Sequence, residues 1–158
     1  MKVIGACTVL LGGVYLWLQF VSIQRRELAL VRDLIAAVES LESAVRWKNL
    51  PVPAGLRELA TREISGKYFA AASDMLKSNF TLQDAWNSVF SVLGGEISTV
   101  MCRMEWSGDA QKIEGALHCT AEELTKVLEM RRQALRQKER LYAAMALSGA
   151  GVLIIILI

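Results

Sequence analysis

The chain has 158 residues, 53 % of them hydrophobic and 22 % charged, a size that suits one domain with appendages. That content excludes an intrinsically disordered chain, and two prolines with eleven glycines exclude collagen-like or Pro-rich sequence. Eighteen basic against sixteen acidic side chains balance too evenly to mark a nucleic-acid binder, and three cysteines cannot all pair in a disulfide framework.

The charges are segregated along the chain. Every acidic residue lies between Glu27 and Glu139, and no charged side chain follows Arg140. Val3–Ile23 is a run of 21 uncharged residues, and roughly 20 suffice to cross the hydrocarbon core as a helix. Tyr15, Trp17 and Phe20 lie toward its inner end, where an aromatic belt is expected. A cleaved signal peptide would have a shorter apolar region, a basic cluster before it and a small-x-small site after it. Here the run ends Gln19-Phe20-Val21-Ser22-Ile23 and the arginines follow it, so it reads as a retained anchor.

The expected cytoplasmic part begins at residue 24. Leu28, Val31, Ile35, Val38, Leu41 and Val45 recur at three- and four-residue spacing, and no Gly or Pro stands between Val14 and Leu50. One long helix continuing the first run to Arg46 is therefore expected. Trp47–Pro53 breaks it, because Pro51 and Pro53 force their predecessors into extended geometry. Pro53 is suited to open the next helix. Leu56, Leu59, Ala60 and Ile64 continue that helix, with Gly66 as its expected C-terminal cap. A short piece with Tyr68, Phe69, Ala72, Met75 and Leu76 follows.

Thr81 and Asp84 resemble a capping pair ahead of Leu82, Ala85, Trp86, Val89, Phe90 and Leu93. Gly94-Gly95 ends that helix, and a shorter one is expected from Glu96 to Trp106. After the turn Ser107-Gly108-Asp109, a stripe of Ile113, Leu117, Ala121, Leu124, Leu128 and Leu135 marks a last helix. It has no Gly or Pro from Ala116 to Ser148 and leads into a second uncharged run, Leu141–Ile158, of 18 residues. Nine Leu, Ile or Val residues favour insertion of this run; the alternative at this length is a buried core helix.

Lys and Arg near the two runs set the orientation. Arg25, Arg26 and Arg32 follow the first, while Arg131, Arg132, Arg136, Lys138 and Arg140 precede the second. Both place the middle in the cytoplasm and the termini outside. The expected fold is all-α: a membrane-rooted antiparallel helical hairpin with short helices packed into a cytoplasmic bundle. Its divisions are an N-terminal transmembrane helix at 1–23, the bundle at 24–140 and a C-terminal transmembrane helix at 141–158.

Little in the sequence points to chemistry. His118 and Cys119 lack zinc-ligand spacing toward Cys102, so a surface histidine and buried free thiols are expected. Ser65-Gly66-Lys67 lacks the upstream glycine of a phosphate loop, and Tyr68 replaces its Ser/Thr. No catalytic, cofactor or metal residues are assigned, no cofactor is expected, and the chain is read as a non-enzyme. The basic stretch Arg131–Arg140 is read as lipid headgroup contact and a topology signal, not as a nucleic-acid site. Thr8/Gly12, Ala144/Ser148 and Ala146/Ala150 stand at the four-residue spacing that lets membrane helices approach closely. That serves contact between the chain's own spans or a homo-oligomer.

The order of these features resembles the stage III sporulation protein AB family of endospore-forming bacteria over essentially the whole chain. An anchor starts at residue 3, and Leu41-Glu42-Ser43-Ala44-Val45 leads to Leu50-Pro51-Val52-Pro53. Asp84-Ala85-Trp86 comes next, and Glu139-Arg140-Leu141-Tyr142 precedes the terminal Ile/Leu-rich run. The proline pair followed by Leu56 is the most specific local match. The family's Leu-Gly-x-x-Asp turn with a later Gln is compressed here to Trp106-Ser107-Gly108-Asp109-Ala110-Gln111, making Asp109 and Gln111 the candidate equivalents.

The resemblance implies a mother-cell component of a secretion-like channel across the two membranes around the forespore. It further implies likeness to the platform proteins of type II secretion and type IV pilus machines. The expected role is a non-enzymatic membrane platform that docks a cytoplasmic secretion-type ATPase and neighbouring channel membrane proteins. The alternative is a generic two-span adaptor or signalling protein. Pro51, Pro53, Trp86, Asp109 and Gln111 are the candidate structural or partner positions.

Overall fold

The computed structural model describes the backbone of residues 2–48 and 50–157, and the side chains of residues 15, 19, 21–48 and 50–142. It is all-helical, with no strand among the described residues. Helix α1 spans Lys2–Lys48, α2 Val52–Leu59, α3 Gly66–Lys77, α4 Leu82–Phe90, α5 Gly95–Cys102 and α6 Ala110–Leu157, with a 3₁₀ turn Ser91–Leu93 after α4.

The two long helices contain 47 and 48 residues. They run unbroken through the expected boundaries near residues 23 and 140 and pack against each other. Glu27 faces Arg131 at 3.5 Å, Glu42 faces His118 at 3.3 Å, and Arg46 faces Glu114 at 3.3 Å. Each step forward along α1 is thus matched by a step backward along α6, which defines an antiparallel pair.

Among the described residues no helix is long and apolar enough to cross a membrane. Most of the runs 3–23 and 141–158 lies outside the residues whose side chains are described, and so do Trp17, Phe20 and the small-residue pairs at 8/12, 144/148 and 146/150.

The short helices close a ring. Each of α2 to α5 packs on its chain neighbours, α2 lies on α1, and α5 lies on α6. One core fills the ring, with Leu34 and Leu41 of α1, Leu56 of α2, Phe69 of α3, Trp86 and Phe90 of α4, Met101 of α5, and Leu117 and Leu124 of α6 all fully buried. Because α1 meets both α2 and α6, its buried face is wider than one stripe. Leu34, Ala37 and Ala44 join the expected Val31, Ile35, Val38, Leu41 and Val45.

Local chemistry explains the joints. Thr81 caps α4 as expected: its hydroxyl accepts from the Asp84 amide at 3.1 Å and donates to Asp84 Oδ2 at 2.6 Å. Pro51 occupies the N-cap position of α2 and Pro53 falls in its first turn, where a missing N–H costs nothing.

The second helix ends earlier than its apolar spacing suggests. It stops at Leu59, Ile64 is exposed, and Gly66 opens α3. The cause is Asp33 on α1. Its carboxylate accepts from Arg62 Nε at 3.0 Å and from the Ser65 amide at 2.8 Å, pulling residues 62–65 off the helical path. Gly66 is needed for a close approach, since a Cβ there would lie 2.6 Å from the Ala60 carbonyl oxygen. At Gly94 and Gly95, φ is +66° and +58°; this left-handed geometry favours glycine and ends the 3₁₀ turn.

The fifth helix also stops short, at Cys102 instead of Trp106. Gln83 intercepts the following segment: its amide donates to the Met104 carbonyl at 2.9 Å and its carbonyl accepts from the Trp106 amide at 3.0 Å.

Candidate docking surface

Four of the five candidate positions meet at one end of the ring, where α1 stops and α2 and α6 start. After Lys48 the chain reverses, and the Leu50 amide donates to the Ala44 carbonyl at 3.2 Å. The Pro51 carbonyl then accepts from the Ala54 and Gly55 amides, which starts α2. This reversal buries Val52 and leaves Pro51 and Pro53 exposed.

The start of α6 lies beside it. Asp109 Oδ1 accepts from the Lys112 amide at 3.0 Å, so Asp109 is the N-cap of α6. Its carboxylate also suits the positive end of the helix dipole. Gln111 is exposed on the first turn. Asp109→Ala is expected to destabilise the fold by about 1 kcal/mol in a denaturant titration, and Asp109→Ser by a few tenths.

Between these helix ends is an apolar pocket of about 270 Å³ lined by Val45, Leu50, Pro51, Val52, Ala110 and Ile113. Trp47 stands at the same end of α1 and is 74 % exposed. The Arg46 guanidinium lies 5.1 Å from its ring centroid and pairs with Glu114 at 3.3 Å. That bridge holds α1 and α6 together at the rim and stacks a cation on the indole. Trp47 does not line that pocket, but an exposed Trp at the same end of the bundle is the residue type found in interface hot spots.

Trp86 is elsewhere. It is fully buried, its indole N–H donates to the Met101 carbonyl at 2.7 Å, and it packs against Phe90, Phe69 and Trp106. Its role is structural, and it presents no surface to a partner. Trp106, half-buried, sits edge-on to it with ring centroids 4.8 Å apart.

Among the described residues no three His, Cys, Asp or Glu side chains come together as a metal cluster. His118 is exposed on α6, as expected, with Nδ1 3.3 Å from Glu42 and Nε2 3.6 Å from Glu122. These three, with Glu39, line an open cleft between α1 and α6. Cys102 is half-buried, whereas Cys119, expected to be buried, is exposed because it lies off the α6 stripe formed by Leu117, Thr120, Ala121 and Leu124.

Sequence reasoning missed Trp47 and the Asp33 clamp. Trp47 carried a signal, an aromatic residue two positions after the stripe ends at Val45 and at the start of the chain break. Asp33 carried none, since its partners are 29 and 32 residues away.

The family model for stage III sporulation protein AB matches residues 2–158. No curated protein and no solved structure matches the chain.

Proposed function

The chain belongs to the stage III sporulation protein AB family, and from that premise we propose that it is a membrane-rooted, non-enzymatic platform of the channel between mother cell and forespore. On this reading its distal end docks a cytoplasmic secretion-type ATPase. One observation carries the proposal. The antiparallel pairing of α1 and α6 directs the uncharged runs 3–23 and 141–158 toward one end, whereas exposed Trp47 and the pocket lined by Val45, Leu50 and Ala110 stand at the other. From residue 24 to Lys48 a helix advances about 36 Å, which holds the pocket clear of the bilayer and within reach of a soluble partner. The arginines that follow the first run and precede the second support a topology with residues 24–140 in the cytoplasm and both termini outside.

Trp47→Ala is expected to abolish recovery of the ATPase in a pull-down from sporulating cells. The variant should stay in the carbonate-resistant membrane fraction and melt within about 0.5 kcal/mol of the parent, as an exposed substitution does. Undiminished ATPase recovery would count against the docking end. Extraction of the parent chain by carbonate would count against the membrane root. Loss of some other cytoplasmic protein in place of the ATPase would favour the adaptor reading.

A further inference from the structure

The register of α1 against α6 has a consequence at the membrane end. With Glu27 opposite Arg131 and Glu42 opposite His118, Ile23 of α1 comes level with Arg136 of α6, and Gln19 with Arg140. Val21, on the last turn of the first run, is buried. The uncharged runs are therefore staggered. The last turn of the first run, residues 19–23, stands beside the charged residues Arg136, Lys138, Glu139 and Arg140. The offset is about five residues, or about 7 Å along the axis.

The α6 residues from Arg136 to Arg140 directly precede the uncharged run 141–158, which is the height of the lipid headgroups on the membrane-rooted reading.

Arg132, Arg136 and Arg140 follow one another at four-residue spacing and so share a face of α6. Arg136 and Arg140 are exposed, Arg132 is half-buried, and none of the three forms an ion pair among the described residues. Their neighbour Arg131 differs, since it is engaged with Glu27. Guanidinium groups bind phosphate oxygens bidentately, and their aliphatic stems can lie along the apolar last turn of α1 while the heads reach water.

We propose that this face is a binding site for the phosphate of an anionic phospholipid, formed on the α6 side of the hairpin by the stagger of its two runs. The inference rests on the membrane-rooted reading above. Each basic side chain near an anionic surface favours binding by roughly fivefold, so three together give a preference well above tenfold.

The full chain, purified in neutral detergent and stripped of lipid, is offered equal amounts of phosphatidylglycerol and phosphatidylcholine, and the lipid that copurifies is measured. Retention of phosphatidylglycerol over phosphatidylcholine by about tenfold or more is expected. The preference should fall to near parity in the Arg132→Gln/Arg136→Gln/Arg140→Gln variant, whose helix-favouring glutamines preserve α6. Parity in the parent chain, or an unchanged preference in the variant, overturns the site. Displacement of the lipid by millimolar inorganic phosphate overturns it as a lipid site and makes it one for a free anion. Carbonate extraction of the parent chain is the separate result that fails the membrane reading itself, whereas a carbonate-resistant chain with lipid parity fails this inference alone.

Discussion

Trp86→Ala is expected to be the most damaging single substitution, costing about 4 kcal/mol of folding stability and leaving little of the cooperative unfolding transition. Three losses add. The indole is fully buried at the centre of an aromatic group, with ring centroids 4.3 Å from Phe90, 4.8 Å from Trp106 and 6.2 Å from Phe69. Removing it opens a cavity that three rings on three different segments cannot fill by small shifts. It also deprives the Met101 carbonyl of the 2.7 Å hydrogen bond from the indole N–H. Trp86→Phe separates the contributions: it keeps most of the apolar area, loses the hydrogen bond, and should cost about 1–2 kcal/mol. Thermal unfolding of the two variants followed by far-ultraviolet circular dichroism tests this. Equal stability of parent and Trp86→Ala would show that the ring of short helices does not depend on its aromatic centre.

Asp33→Ala should come second, at about 2–3 kcal/mol. The carboxylate is the sole long-range polar tie from α1 to the α2–α3 connection among the described hydrogen bonds and ion pairs. Without it the Ser65 amide, at a fully buried residue, loses its acceptor, and Arg62 loses its partner. Burial alone would raise the carboxyl's pKa, but hydrogen bonds from Ser65 and Arg62, together with the Arg62 charge, outweigh it and hold the group below its ordinary value.

The sign for stability follows from linkage. A carboxyl with a depressed folded pKa contributes stability that is fully present above the unfolded value and is lost as pH falls through the folded one. Parent and Asp33→Asn should therefore differ most near neutral pH and converge in strong acid. A difference that stays constant across an acid titration of melting temperature would refute the clamp.

The architecture was legible where the signal is local and repeated. The α1 stripe from Val31 to Val45, the break at Pro51 and Pro53, the Thr81–Asp84 cap and the stripe beginning at Ile113 each depend on residues within a few turns, and each stands in the structure. What escaped depends on tertiary partners. Ile64 continues the α2 spacing, yet it is exposed because Asp33 draws the segment away. Gly66 looks like a helix stop from its type alone, whereas its lack of a side chain serves the approach of the Ala60 carbonyl. The candidate surface was half legible. The resemblance points to Pro51, Pro53, Asp109 and Gln111, but only folding shows that Pro51 shares a pocket with Ala110, next to Asp109 and Gln111 in the chain. Trp47, its most exposed aromatic residue, was read only as part of the break.

The closure of the ring by α6 upon α1 also shapes how the protein is made. The α1 face carrying Val31, Leu34, Val38 and Leu41 meets Leu117, Leu124 and Val127 on α6, so its final partner leaves the ribosome some eighty residues later. At roughly 5–20 residues per second, that apolar face waits about 4–16 seconds before it can be covered. During this interval α2 to α5 are the only native shelter that the nascent chain itself supplies. A synonymous slow-codon stretch placed between Gly94 and Asp109 should therefore increase capture of the growing chain by chaperones without altering the finished molecule.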